Sequence, residues 1–173
     1  SIDASNCTTF YGLYINGDKP SYALATLNLT GCPNIVQLIL TNCNQLTTLD
    51  LSDVEVLETL GLEGCSSLTG TLDVSGKDAL RVISMDGCTA LSEINLSGCT
   101  ALTAMSCGGG TNLTTIDASG CTLLSELLCG ACPALATINL KDCTTLTGID
   151  FTYLNSSSNT ISINVAGTTL TES

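Results

Sequence analysis

Apolar and polar positions along this chain follow a pattern that repeats every 11 residues. Successive units read L-x-x-L-x-L-x-x-C-x-x: "LATLNLTGCPNI" (24–35), "VQLILTNCNQL" (36–46), "TTLDLSDVEVL" (47–57) and "ETLGLEGCSSL" (58–68). "TGTLDVSGKDAL" (69–80) is one residue longer, and six more units carry the pattern to Leu146. "IDASNCTTF" (2–10) nearly repeats "IDASGCTLL" (116–124), and "YGLYING" (11–17), "TGIDFTYLN" (147–155) and "ISINVAGT" (161–168) extend the series to fifteen half-units. Insertions fall near 18–23 and 155–160.

The full period is twice 11. In alternate units the residue between the last two core positions is Asp3, Asn28, Asp50, Asp73, Asn95, Asp117, Asn139 and Asn164; in the others it is Tyr14, Ile39, Gly61, Ser84, Ser106, Leu128 and Asp150. Twenty-two residues therefore make one coil with two unlike faces. The L-x-L spacing sends alternate side chains inward, as in a strand, and the Gly or Asx that follows marks a corner. The expected fold is a mostly β solenoid of about seven coils, each with two short strands in parallel sheets, with little or no helix and the whole of 1–173 as one domain. Neighbouring strands lie ~4.8 Å apart, so the rod is roughly 34 Å long.

Composition fits such a core. Apolar residues make up 44% of the 173 residues but aromatics only 3%, so Leu, Ile, Val, Ala and Cys must fill the interior. The formal charge of −12 argues against nucleic acid and against anionic membrane surfaces. No apolar run approaches a membrane span, so no direct insertion is expected. The chain opens at Ser1 with no signal-like segment, and any signal or anchor is expected from a longer parent chain.

Eleven cysteines include Cys129-Gly130-Ala131-Cys132, a C-x-x-C pair that elsewhere signals redox or zinc chemistry. Register gives a simpler reading. Five residues beyond the second core position of its unit stands Cys7, Cys32, Cys43, Cys65, Cys88, Cys99, Cys121, Cys132 or Cys143, while Cys107 and Cys129 fill third core positions. The pair is thus two packing slots, and buried free thiols are expected. With no histidine, and thiols in parallel columns, no metal site or cofactor is expected. No nucleophile–base pair emerges, and "CGGG" (107–110) lacks the lysine of a phosphate loop, so no catalytic residues are assigned and the chain is read as non-enzymatic.

Quoted against known repeats, L-x-x-L-x-L-x-x-[N/C]-x-L resembles the leucine-rich-repeat superfamily. "LSGCTALTAMSCGGGTNLTTIDAS" is most similar to short bacterial surface repeats of the internalin kind, in which cysteine can replace the ladder asparagine. The resemblance implies a leucine-rich-repeat solenoid on an extracellular or cell-surface bacterial protein.

One face repeats Thr-(Leu/Ile)-(Asp/Asn), at Thr26, Thr48, Thr71, Thr115 and Thr137, with Glu93 breaking the column. The other does not repeat. Its outward positions Tyr14, Gln37, Ile39, Thr59, Val82, Ser84, Ser106, Glu126 and Leu128 form the candidate partner-binding face, for an unknown protein or glycan. A structural spacer is the alternative, and an ice-binding solenoid using the Thr/Asx face a remote one. Asp53, Glu55, Glu58, Glu63 and Asp86 form an acidic cluster that reads first as a solvated edge. The chain is expected to be a monomer or weak oligomer.

Overall fold

The computed structural model describes residues 1–18, 23–150, 152 and 160–169. They wind into a parallel β-solenoid of about seven coils of about 22 residues. Fourteen strands are present among them, β1 (Ile2–Asp3), β2 (Gly12–Asn16), β3 (Leu27–Asn28), β4 (Gln37–Thr41), β5 (Thr59–Gly61), β6 (Gly70–Asp73), β7 (Val82–Ser84), β8 (Leu91–Asn95), β9 (Ala104–Ser106), β10 (Thr115–Asp117), β11 (Glu126–Leu128), β12 (Thr137–Asn139), β13 (Gly148–Asp150) and β14 (Ser162–Asn164). No helix occurs among the described residues. The insertions expected near 18–23 and 155–160 lie largely outside those residues.

Strands 22 residues apart pair in parallel, residue over equivalent residue: Thr115 on Glu93, Ile116 on Ile94, Asp117 on Asn95. The order β2-β4-β5-β7-β9-β11-β13 forms one seven-stranded sheet, and β6-β8-β10-β12-β14 a five-stranded one, with β1-β3 paired separately. Between them, Leu, Ile, Met, Val and Cys side chains from both sheets fill one continuous core, Leu38, Leu60, Ile116, Leu127 and Ile138 all essentially inaccessible. Burying each such side chain contributes roughly 1.5–3 kcal/mol.

Strands are short because a corner follows each. The residue before the thiol slot has positive φ at Gly31, Gly64, Gly87, Gly98 and Gly120, and also at Asn6, Asn42, Ala131 and Asp142. Positive φ at the third residue is what a type II turn requires, and the slot N–H closes the turn, as from Cys99 to the Leu96 carbonyl at 3.0 Å. Hydroxyls bind coil to coil: Thr114 Oγ1 donates to the Ser92 carbonyl and Ser92 Oγ to that of Gly70, each at 3.0 Å.

One coil departs from the expected two strands. Residues 48–50 are not in a strand, and the sheet on that side is split there. One coil on, in the unit with the extra residue, the register against β8 shifts at Gly70 (φ +76°), a local bulge. The Thr69 N–H still donates to the Thr47 carbonyl of the coil beneath, at 3.1 Å.

Candidate functional site

The nine residues of the candidate face lie on the outer surface of the seven-stranded sheet, in two columns fixed by strand register. Tyr14, Ile39, Gly61, Ser84, Ser106, Leu128 and Asp150 stack in one column; Gly12, Gln37, Thr59, Val82, Ala104, Glu126 and Gly148 stack in the other. Because side chains alternate across a strand, the intervening Leu38, Leu60, Ile83, Met105 and Leu127 are buried beneath them.

The face is uneven in chemistry as well as sequence. Tyr14 is 64% exposed, Leu128 44% and Val82 41%, and Gln37 and Glu126 are also exposed; Ile39, Thr59, Ser84 and Ser106 are partly covered. The Tyr14 hydroxyl donates to Gln37 Oε1, tying two candidates together at the N-terminal end. A Cβ at Gly61 would stand only 3.0 Å from Ile39 Cδ1 and 3.2 Å from Glu63 Oε2, so these two side chains lean over the glycine. Ser106 donates to Asp86 Oδ1, which also accepts the Gly108 N–H at 2.6 Å.

Near the C-terminal end of the sheet a shallow hollow of about 440 Å³ is lined by Ser125, Glu126, Leu127, Leu128, Thr147, Gly148, Ile149 and Asp150. Sequence reasoning placed Glu126 and Leu128 here but did not assign the rest. The signal available was Gly148, whose missing side chain opens the space beside Glu126. Hydrogen bonds from the Thr152 hydroxyl and N–H hold the Asp150 carboxyl below its ordinary value.

The acidic residues do not form one cluster. Glu63 and Asp86 follow Gly61 and Ser84 by two positions on paired neighbouring strands, and Glu63 Oε2 is buried with no hydrogen-bond partner among the described residues. Asp53 is at a corner, its Oδ2 accepting the Gly31 N–H at 2.8 Å. Among the described residues, no group of three or more Cys, Asp or Glu side chains is arranged to hold a metal ion, and no helix is long and apolar enough to cross a membrane.

All eleven cysteines are free thiols, ten buried and Cys7 in the first coil partly exposed. The thiol column has a specific bonding role. Cys121 Sγ donates to the Leu96 carbonyl (3.2 Å), Cys143 to Ala118 (3.1 Å), Cys99 to Val74 (3.1 Å) and Cys132 to Cys107 (3.2 Å), each reaching 25 residues back into the coil before it. Burial pushes Cys65, Cys88, Cys121 and Cys129 up to about 12 and Cys99 and Cys143 to about 11. Cys107 is pushed up first by its hydrogen bond with Cys132 and then by burial.

Lys77 occupies this same slot, a feature the sequence reading missed although counting five residues on from Leu72 reveals it. Its Nζ donates to the carbonyls of Leu51 and Val54, both at 2.8 Å, in the coil where the ladder is broken. Desolvation lowers its pKa, opposed chiefly by Cys99, Asp73 and Asp50.

The Thr/Asx side is more regular. Each Asx oxygen accepts the N–H two residues on, as Asp117 Oδ1 from Ser119 (2.9 Å), and Asn139 Nδ2 donates to Asp117 Oδ1 at 3.1 Å. The turn bond is local to each coil, and side-chain amides link neighbouring coils at Asn28–Asp3, Asn139–Asp117 and Asn164–Asn139. Its threonines do not form an unbroken array, since residues 48–50 lie outside any strand and the Thr71 hydroxyl donates to Glu93 at 3.0 Å. No family model, curated protein or solved structure matches the chain.

Proposed function

We propose that this chain is a leucine-rich-repeat solenoid, resembling the short cysteine-containing surface repeats of the internalin kind. On this reading it is a non-enzymatic binding module of an extracellular or cell-surface protein, and its partner is a protein or a glycan. The observation carrying the proposal is the contrast between the two sheets. Asx side chains of the Thr/Asx side repeat one and the same local turn bond from coil to coil, whereas the seven-stranded sheet presents Tyr14, Val82 and Leu128 to solvent in a non-repeating order. Exposed apolar anchors interspersed with polar groups, on a rigid scaffold, are what a recognition surface requires. The hollow beside Glu126 and Leu128 supplies the concave part of that surface. The interrupted threonine column weighs against ice binding.

The test is a binding screen of the chain against arrayed extracellular proteins and glycans, with Leu128→Arg, Ile39→Arg and, on the opposite sheet, Thr137→Arg in parallel. The expected result is a partner whose affinity falls at least about 10-fold in the first two variants, the scale of a lost anchor, and is unchanged in the third. Equal loss in all three, or no partner on either array, contradicts it, and the second outcome favours a spacer.

A further inference from the structure

The side chains that line the hollow between β11 and β13 offer acceptors and no free donors. Register sets Glu126 beside Gly148 and Leu128 beside Asp150, so the two carboxylates stand at opposite corners of a patch whose other corners are Leu128 and Gly148. Diagonal positions on a parallel sheet lie roughly 8 Å apart, which leaves room for one charged group between them. Glu126 makes no hydrogen bond or ion pair with any described residue. Asp150 accepts the Thr152 N–H, at 2.7 Å, and the Thr152 hydroxyl on Oδ1 alone, and its Oδ2 has no donor among the described residues. The hydroxyl protons of the rim are already committed to the stack: Ser125 Oγ donates to the Thr103 carbonyl at 3.1 Å, and Thr147 Oγ1 to the Ser125 carbonyl at 3.5 Å. No lysine, arginine or aromatic side chain lines the space.

A ligand that matches this lining brings donors, positive charge and an apolar stem. Lysine and arginine side chains combine all three, with donor-only heads on methylene stems that lie along apolar surface. The exposed Leu128 side chain supplies that surface. At Gly148 a Cβ would meet nothing within 4 Å, so the floor beside Glu126 is open. A glycan fits less well, because its hydroxyls bring acceptors as well as donors and no aromatic ring is present for a sugar to stack on. The surplus of acceptors continues along the same sheet, where Glu63 Oε2 is buried without a partner among the described residues. On the opposite sheet the Asp73 and Asp117 carboxylates are engaged in their own turns, accepting the Ser75 and Ser119 N–H groups at 2.9 Å each.

We infer that the partner of this face is a protein segment presenting a lysine or arginine, its stem against Leu128 and its charged head between Glu126 and Asp150. The inference rests on the seven-stranded sheet being a binding surface, and it narrows the partner from a protein or glycan to a basic protein segment. The formal charge of −12 favours the approach of such a segment from any direction, so a test must separate the hollow from general attraction.

Short random peptides displayed on phage are selected on the immobilised chain, and the enriched sequence is resynthesised with fluorescein for polarisation titrations. Glu126→Gln with Asp150→Asn removes the two charges of the hollow, and Gly148→Leu fills it with the charge intact. Asp73→Asn with Asp117→Asn removes the same charge from the opposite sheet while keeping the turn acceptors; circular dichroism confirms each fold. The expected result is a lysine or arginine beside an apolar residue in the enriched peptide. Its affinity falls at least about 10-fold in the first double variant, in Gly148→Leu, and when norleucine replaces its basic residue, and it stays within about 2-fold in the opposite-sheet variant. Enriched peptides without a basic residue, equal loss in the two double variants, or no enrichment at all overturns the proposal. A neutral peptide that Leu128→Arg still abolishes, or a glycan bound on this sheet, sinks the basic partner alone and leaves the face as the binding surface.

Discussion

Each corner of the coil joins two local requirements, a backbone that turns with positive φ and an inward side chain small enough to stack. Glycine meets the first at most corners, and cysteine meets the second while its S–H reaches the preceding coil's carbonyl. Ala131 is an exception at φ +56°, where a Cβ is sterically disfavoured. Ala131→Gly is expected to stabilise the fold by about 1 kcal/mol and raise Tm by about 2–4 °C, measured by thermal unfolding. An unchanged or lower Tm would contradict the strain. At this scale the sequence was largely legible: Cys129 and Cys132 are a core position and a slot, both inaccessible, and the C-x-x-C spacing follows from that register. Lys77 was not legible as a slot residue, because a charged side chain there makes sense only once the carbonyls of Leu51 and Val54 are seen to converge on it.

Strands of two to five residues could not stand alone; pairing with the coils on either side and a shared core hold them. Where that pairing fails, at residues 48–50, the Lys77 ammonium provides a substitute link to the broken coil. Lys77→Met keeps the stem's apolar packing but removes the donors, leaving the Leu51 carbonyl only the Val54 N–H and the Val54 carbonyl without its ammonium donor. Denaturant unfolding should show a loss of about 1–3 kcal/mol; a neutral outcome would mean that solvent satisfies those carbonyls. The period of 22 and the parallel stacking were readable from leucine spacing, and so was the surplus residue in 69–80. The missing strand at residues 48–50 was not, because "TTLDL" has the same local pattern as units that do pair.

As a whole the molecule is a stack in which thiols run the length of the core, and this has a consequence for pH. Eight of them, Cys43, Cys65, Cys88, Cys99, Cys107, Cys121, Cys129 and Cys143, are raised above the ordinary thiol value of 9.0. A raised thiol contributes stability that is intact below the unfolded value, near pH 8.5–9, and is lost as pH climbs toward the folded one. In that interval the unfolded chain holds fewer protons than the folded one. Lys77, lowered by desolvation, and Cys132, lowered by its hydrogen bond with Cys107, have the opposite sign, two groups against eight. Urea midpoints should therefore vary little from pH 6 to 8 and fall steeply above about pH 9, and Cys121→Ala should make the fall shallower by one proton. A flat profile to pH 10.5 would contradict the buried column.

The outward columns of the seven-stranded sheet were likewise readable from period-two alternation, and all nine candidate residues lie on them. The hollow at Gly148 was not, since it depends on which neighbour fails to fill a space. The repeat builds a scaffold whose cysteines pack, leaving the irregular face to make contacts. Counting maleimide-reactive thiols by intact mass, in native buffer at pH 7 and then in guanidinium, tests it most directly. With ten thiols buried, Cys7 at most should label in the native state and all eleven on unfolding. Rapid native labelling at Cys129 or Cys132, or fewer than eleven labels on unfolding, would contradict it and return the C-x-x-C pair to chemistry.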